Sequence, residues 1–192
     1  MSNVKGSKIS LKLAFVKEYY GDDALARLLK SMPPEDQLAL RMILDAGWYP
    51  IDLYHRTVIA ICKVLARGDE SVYTTIGHHS AQLSLDSVYK VFRAKNPITV
   101  LKNMVPLHSL MNDPGEMRVI PICENQCTVE VLKPESMVEI CKVAKAFYYR
   151  SVELAGGMDI KIKHPRCTGL GHALCQFDIA WRKTNVGPAV TQ

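Results

Sequence analysis

Apolar residues recur at three- and four-residue steps through the first two-fifths of the chain and alternate with polar ones near its end. Leu11, Phe15, Val16 and Tyr19 keep one helical face up to Gly21. Asp22 is placed to cap a second helix, whose Leu25, Leu28 and Leu29 form a stripe that stops before Pro33-Pro34. Pro34 suits the first position of a third helix, continued by Leu38, Leu40, Ile43 and Leu44 to Gly47. Gly47-Trp48-Tyr49-Pro50 interrupts. A longer helix follows through Leu53 or Tyr54, then Val58, Ile61, Cys62 and Leu65, and closes near Gly68, which makes Cys62 a small core residue. Residues 70–93 and about 97–111 are predicted helical as well. His78 and His79 are adjacent and so do not share a helix face, and His108 has no partner at a diagnostic interval; all three are read as satisfied or solvated imidazoles.

After Asn112-Asp113-Pro114-Gly115 the period changes. Met117 to Cys123 and Cys127 to Leu132 are rich in β-branched residues around Glu124-Asn125-Gln126, the pattern of a hairpin. Pro134-Glu135-Ser136 opens an amphipathic helix in which Met137, Ile140, Cys141, Ala144, Phe147, Tyr148 and Ala155 mark one broad face, ended by Gly156-Gly157. Ser136 and Glu139 have the spacing of a capping box. A second hairpin, about 159–182, completes the sheet, and residues 183–192 read as a flexible tail. Helices followed by hairpin, helix and hairpin predict one α+β domain over residues 1–182. Its helical part, about 8–112, packs on an antiparallel sheet of two hairpins with an intervening helix, about 116–182.

The terminal hairpin concentrates the chemistry. In Cys175-Gln-Phe-Asp-Ile-Ala-Trp-Arg182 the side chains of Cys175, Phe177, Ile179 and Trp181 point one way. Cys167 and Cys175 stand at the feet of a glycine-rich turn, where they can grip a metal, form a disulfide or pack. Counting back from a 167/175 pairing would set Lys163 and Lys161 on the apolar face, which desolvation forbids. A one-residue bulge at Pro165-Arg166 removes the conflict, pairing His164 with Phe177, Ile162 with Ile179 and Ile160 with Trp181, and it turns His164 toward the face of the cysteines.

Size and charge exclude several classes. The chain has 192 residues, 48% of them hydrophobic, enough for one well-cored domain. The net charge of +5 is scattered, its densest stretch being Lys161 to Arg166, so no nucleic-acid footprint is expected. Neither a secretory signal nor an apolar run of the ~18 residues needed for a membrane span is present, so a cytoplasmic protein is expected. Six cysteines are too few for a disulfide scaffold, and in a reducing compartment clustered thiols point to metal.

With the hairpin, the helix that begins Val138-Glu139-Ile140-Cys141 and ends at Gly156-Gly157, and the closing Cys167-x7-Cys175-x-Phe177-x-Ile179, the stretch from about Val119 to Trp181 resembles the V4R (4-vinyl reductase) domain. Its superfamily also holds the heme-nitric-oxide-binding sensors and the Bet3-type TRAPP subunits. Gly47-Trp48-Tyr49-Pro50 and Trp181 extend the likeness over most of the chain, toward a bacterial family of about this size in that superfamily. The resemblance implies an α/β fold that dimerises through helices, and a sensory or scaffold role. It also implies a zinc ion held by a carboxylate and three cysteines, at the matching positions Glu139, Cys141, Cys167 and Cys175. Two alternatives stay open. If Glu139 serves only as a cap, His164 becomes the fourth ligand; or two hairpin tips supply Cys123, Cys127, Cys167 and Cys175. In each case four protein ligands leave no open position, so the zinc is expected to be structural.

No phosphate loop, nucleophile elbow or His-Glu-x-x-His pair occurs, and no catalytic residue is assigned. The Tyr-x-Ser-x-Arg motif of the heme-binding branch is absent, so heme is not expected. The reading is a non-enzymatic, homodimeric cytoplasmic module for sensing or regulation that binds a small apolar or aromatic ligand. The alternative is an interaction or scaffold subunit that acts through dimer and partner-protein surfaces.

Overall fold

In a computed structural model, residues 2–86, 90–132 and 136–183 are described. Strand β1 (Asn3–Lys5) leads into helices α1 (Gly6–Tyr20), α2 (Asp22–Ser31) and α3 (Pro34–Arg41), followed by β2 (Trp48–Pro50) and α4 (Ile51–Ala60), which continues as a π-helical turn over Ile61–Leu65. Helices α5 (Ser71–Asp86) and α6 (Pro97–Met111) complete the helical half; β3 (Asn112–Asp113), β4 (Glu116–Cys123), β5 (Gln126–Leu132), α7 (Val138–Leu154), β6 (Gly157–Arg166) and β7 (Leu174–Lys183) follow. The α+β architecture is the one the pattern predicts. The expected tail lies almost wholly outside the described residues.

The predicted helix boundaries hold where a backbone breaker sets them. Gly21 has φ of 82° between α1 and α2, Pro34 opens α3, and Asn96 caps α6 by accepting from Thr99 N. Two expectations fail. Helix α3 stops at Arg41 instead of running to Gly47, because the chain turns there and Leu44 and Gly47 meet the start of α1: Gly6 N donates to Gly47 O. The capping box does not form, since α7 begins after Met137 with no side-chain cap and Ser136 Oγ lies 3.4 Å from Cys141 Sγ. The short sheet β2-β1-β3 was not foreseen, its strands being too brief to show a period.

Strands β4-β5-β7-β6 form one antiparallel sheet in that order, the two hairpins joining through β5 and β7. The register sets Val131 opposite Cys175, Val129 opposite Phe177 and Cys127 opposite Ile179, all with buried side chains. Between β6 and β7 the pairing Ile162 to Ile179 and the shift between Lys163 and Arg166 match the predicted bulge. A second shift between Met158 and Lys161 disrupts the expected pairing of Ile160 with Trp181 there; Asp159, with φ of 49°, sits inside it.

Helix α7 crosses the buried face of this sheet, and Tyr148 meets Phe177 edge-on with 5.2 Å between ring centres. Its other side packs on α5 at very short range. A Cβ added at Gly77 would fall 2.5 Å from Ala146 Cβ, so only glycine lets these two helices approach so closely. Two apolar clusters result. One gathers Phe15, Leu28, Ile61 and Ile76 from the helical half, the other Leu101, Val129, Phe177 and Ile179 around the sheet, and α7 contributes to both.

Candidate functional site

Three of the cysteines converge where α7, β6 and β7 meet. Cys167 follows β6, Cys175 is the second residue of β7, and Cys141 lies one turn into α7. A 3-10 turn over Thr168–Leu170, closed by Gly171 at φ of 87°, connects the strands. Gly169 presses against the helix start: a Cβ there would lie 2.9 Å from Val138 N. The hairpin turn is thereby seated on the first turn of α7. Cys141 Sγ is 3.5 Å from Cys175 Sγ and 3.6 Å from Cys167 Sγ. Zinc–thiolate bonds of ~2.3 Å imply tetrahedral edges of ~3.8 Å, close to these separations.

His164 completes the group. The bulge turns its ring onto Phe177 with 4.3 Å between centres and planes 6° apart. One ligand atom each from Cys141, His164, Cys167 and Cys175 lie within 4.8 Å of one another, so the four could hold a metal ion. His164 Nε2 is buried with no hydrogen-bond partner, a deficit worth ~1–3 kcal/mol that a metal bond would remove. The sulfurs are unequal. The Cys141 thiol, Thr168 Oγ1 and Thr168 N all point at Cys175 Sγ, at 3.5, 3.4 and 3.4 Å. Cys141 donating to Cys175 is the main cause that lowers the Cys175 thiol, against the opposing effect of burial and with the Thr168 contacts helping. The same hydrogen bond, then burial, pushes Cys141 far up. Of the two, Cys175 gives up its proton the more readily.

The other candidate ligands lie elsewhere. Glu139, half-buried on α7, is outside the group, and its charge is felt instead by the Tyr73 hydroxyl. Cys123 is exposed and donates to Asn125 Oδ1. Cys127 is buried opposite Ile179, where desolvation and then Asp178 push its thiol up to about 12. Neither belongs to the group of four. His79 Nε2 meets Glu18 Oε2 at 2.9 Å, His78 stacks on Tyr149, and His172 Nδ1 contacts the backbone of Cys167.

Beside the sulfur cluster lies a cavity of about 200 Å³, walled by α1, α4, α5, α6, α7 and the sheet. Cys141 and Cys175 line it, so cluster and cavity share a wall. The α1 wall carries two lysines one helical turn apart. Lys8 Nζ donates to Asn112 Oδ1 and Lys12 Nζ to Ser80 Oγ, each at 2.6 Å. Both ammonium groups also stand over the Tyr54 ring, at 4.9 and 5.6 Å from its centre. Burial lowers Lys8 to about 8, and burial followed by the charge of Lys8 lowers Lys12 to about 7. Sequence reasoning passed over both residues. The signal was there: Ile9, Lys12 and Phe15 keep a three-residue step, which puts a lysine inside a buried row. His108 also lines the cavity, and burial plus the charge of Lys8 bring it down to about 4.

The chain matches no family model and none of the curated proteins compared with it. Solved structures do match. An Fe(II) unliganded H-NOX protein from K. algicida superposes with a TM-score of 0.71 at 13% identity, over 95% of this chain and 99% of that one. An H-NOX protein from S. oneidensis in the Fe(II)NO state gives 0.69 at 17% identity, over 93% and 99%. At such identities the likeness carries the path of the backbone and not its chemistry. Over more than nine-tenths of its length the chain has the fold of H-NOX domains.

Proposed function

We propose that this protein is a non-enzymatic small-molecule-binding module of V4R type, in which a structural zinc ion ties the terminal hairpin to α7. The observation that carries this reading is the shared wall: Cys141 and Cys175 belong both to the four-residue cluster and to the cavity lining. Cys141, His164, Cys167 and Cys175 would hold the ion, three thiolates and an imidazole filling a tetrahedron. A closed site leaves no coordination position for water or substrate, which favours a structural task over catalysis. A guest in the cavity would press on the helix and strand that carry two ligands. Occupancy would thus reach the terminal hairpin and the surfaces beside it.

Heme stands outside this reading. His108 is the histidine on the cavity wall, and its Nδ1 faces Asn112 Nδ2 at 3.3 Å. Lys8 fixes the Asn112 oxygen, so that amide nitrogen donates and Nδ1 accepts. With Nδ1 facing a donor, His108 lacks the arrangement of an iron-ligating imidazole, whose Nε2 is bare while its Nδ1–H is held by an acceptor.

A second reading, an interaction subunit, is favoured by Leu38, Met42, Leu44 and Trp48, all exposed in the α3–β2 segment. The aromatic residues of α7 do not help it: Tyr148 packs on Phe177, Tyr149 on His78, and Phe147 lines the cavity. No helix of the described residues is long and apolar enough to cross a membrane. Native mass spectrometry of the purified protein tests both readings together. One zinc per chain and a retained small molecule are expected. A protein that holds neither, and only assembles into oligomers, would leave the second reading standing.

A further inference from the structure

The cavity has an unmet electrostatic demand. Lys12 is only 3% exposed, and among the described residues neither it nor Lys8 has an ion pair with a carboxylate. Their partners are neutral: the Asn112 amide, the Ser80 hydroxyl and the face of Tyr54. Ser80 Oγ already donates to Ile76 O, so it serves Lys12 as an acceptor. An ammonium group buried without a counter-ion is costly, and two on one helical turn also repel each other. A fold that only needed to fill this space would use apolar side chains. The rest of the lining supplies them, with Leu11, Met104, Leu107, Met111 and Phe147 forming much of the remaining wall.

Resting on the reading of the cavity as a ligand site, we propose that its ligand is an amphipathic anion, with a carboxylate head seated at Lys8 and Lys12 and an apolar body lying along α6 and α7. The head would replace the missing counter-ion through two charge-assisted hydrogen bonds, while Tyr54 backs the ammonium groups from behind. The body removes apolar surface from water. A dry cavity of ~150 Å³ is known to take a benzene ring, so about 200 Å³ suits a short alkyl chain or one substituted ring. Cys141 and Cys175 line the same cavity, which joins ligand occupancy to the thiol cluster.

Octanoate and octanol separate the head from the body. Calorimetric titration of the full-length protein, freed of any retained molecule, is expected to show octanoate binding at least ten-fold more tightly than octanol. Lys12→Met and Lys8→Met should each weaken octanoate ten-fold or more and leave octanol within two-fold, while Lys12→Arg keeps most of the preference. Methionine removes the charge at similar length, and the far-ultraviolet circular dichroism of each variant checks the fold. Equal binding of octanoate and octanol, or a preference indifferent to both lysines, overturns the anionic ligand but leaves a binding cavity. Failure of either probe to bind, in a protein that also retains nothing in native mass spectrometry, overturns this inference together with the reading beneath it.

Discussion

The two ends of the cavity present opposite demands. At the sheet wall, three sulfurs and an orphaned ring nitrogen crowd together; at the α1 wall, the buried Lys12 and the half-buried Lys8 meet no carboxylate among the described residues. The unpartnered ring nitrogen at the one and the ammonium groups at the other would each be costly in a protein that bound nothing. They differ in how the chain prepares them. The thiol end is assembled from three consecutive elements, α7, β6 and β7, and locked by the seating of Gly169 on the start of α7. The lysine end comes from a single helical turn, so its geometry is local and its cost is electrostatic alone. An ion at the first end would be part of the fold, whereas a guest at the second would come and go.

The largest expected effect therefore comes from breaking the sulfur end. Cys175→Ser, or Cys141→Ser, should reduce bound zinc from one per chain to near zero by inductively coupled plasma mass spectrometry. Loss of a structural metal belongs to the few changes that cost more than about 4 kcal/mol. For a chain of this size that is a fall in Tm of about 10 °C or more. Cys127→Ser is the control, since that sulfur packs against the sheet core outside the cluster and should leave zinc untouched. Zinc lost from Cys127→Ser and kept in Cys141→Ser would transfer the site to the two hairpin tips.

Breaking the lysine end should have the opposite sign. Lys12 titrates near 7 in the folded protein, against 10.5 for the free side chain. Between those values the unfolded chain binds the proton and the folded one does not, so stability rises with pH across that window and is lowest below about 7. The groups facing Lys12 are Ser80 on α5, Tyr54 on α4 and Lys8 on its own helix, and none of them supplies a negative charge in that range. Lys12→Met should then raise the Tm of the ligand-free protein most at pH 6, with the gain fading toward pH 10. With ~1.4 kcal/mol for each pKa unit, and part of the cost recovered through Ser80 and Tyr54, the gain at pH 6 is about 2–4 kcal/mol. A destabilised variant, or a gain that ignores pH, would mean that the ammonium is well compensated and the two ends are not alike.

What could be read from the chain follows the same division. Cysteine is rare enough that Cys167 and Cys175 stood out at the feet of one turn, Cys141 joined them only through the resemblance, and the alternation of Cys175, Phe177, Ile179 and Trp181 fixed a register in which lysines could not face the core. From that one constraint the bulge at Pro165-Arg166 followed, and with it the inward turn of His164. Lysine is common, and a lysine on a helix reads as solvated by default, so Lys8 and Lys12 disappeared into the ordinary composition of α1. The cavity was equally illegible, because a void is a property of how α1, α5, α6 and α7 pack and leaves no period in any one of them. The short sheet β2-β1-β3 escaped because two or three residues cannot show an alternation.

The smallest expected effect bears on the fourth ligand. The resemblance offers Glu139 and the geometry groups His164, and both cannot complete one tetrahedron with the three sulfurs. Glu139 sits two residues before Cys141, about 200° away around the helix at 3.6 residues per turn, so side chains at these positions leave the axis in nearly opposite directions. With Cys141 turned to the sheet, Glu139 is turned toward α5, where its charge reaches Tyr73. Glu139→Gln keeps the shape and removes the charge. It should hold one zinc per chain and shift stability by less than about 0.5 kcal/mol, the range of a substitution outside any special contact. His164→Gln should release the metal at chelator concentrations the parent withstands, because Phe177 holds the imidazole at the sulfurs and a glutamine cannot stack there in the same way. If the order of the two variants is reversed in a zinc-release titration, α7 must rotate on binding metal, and the sulfur end would be as mobile as its guest.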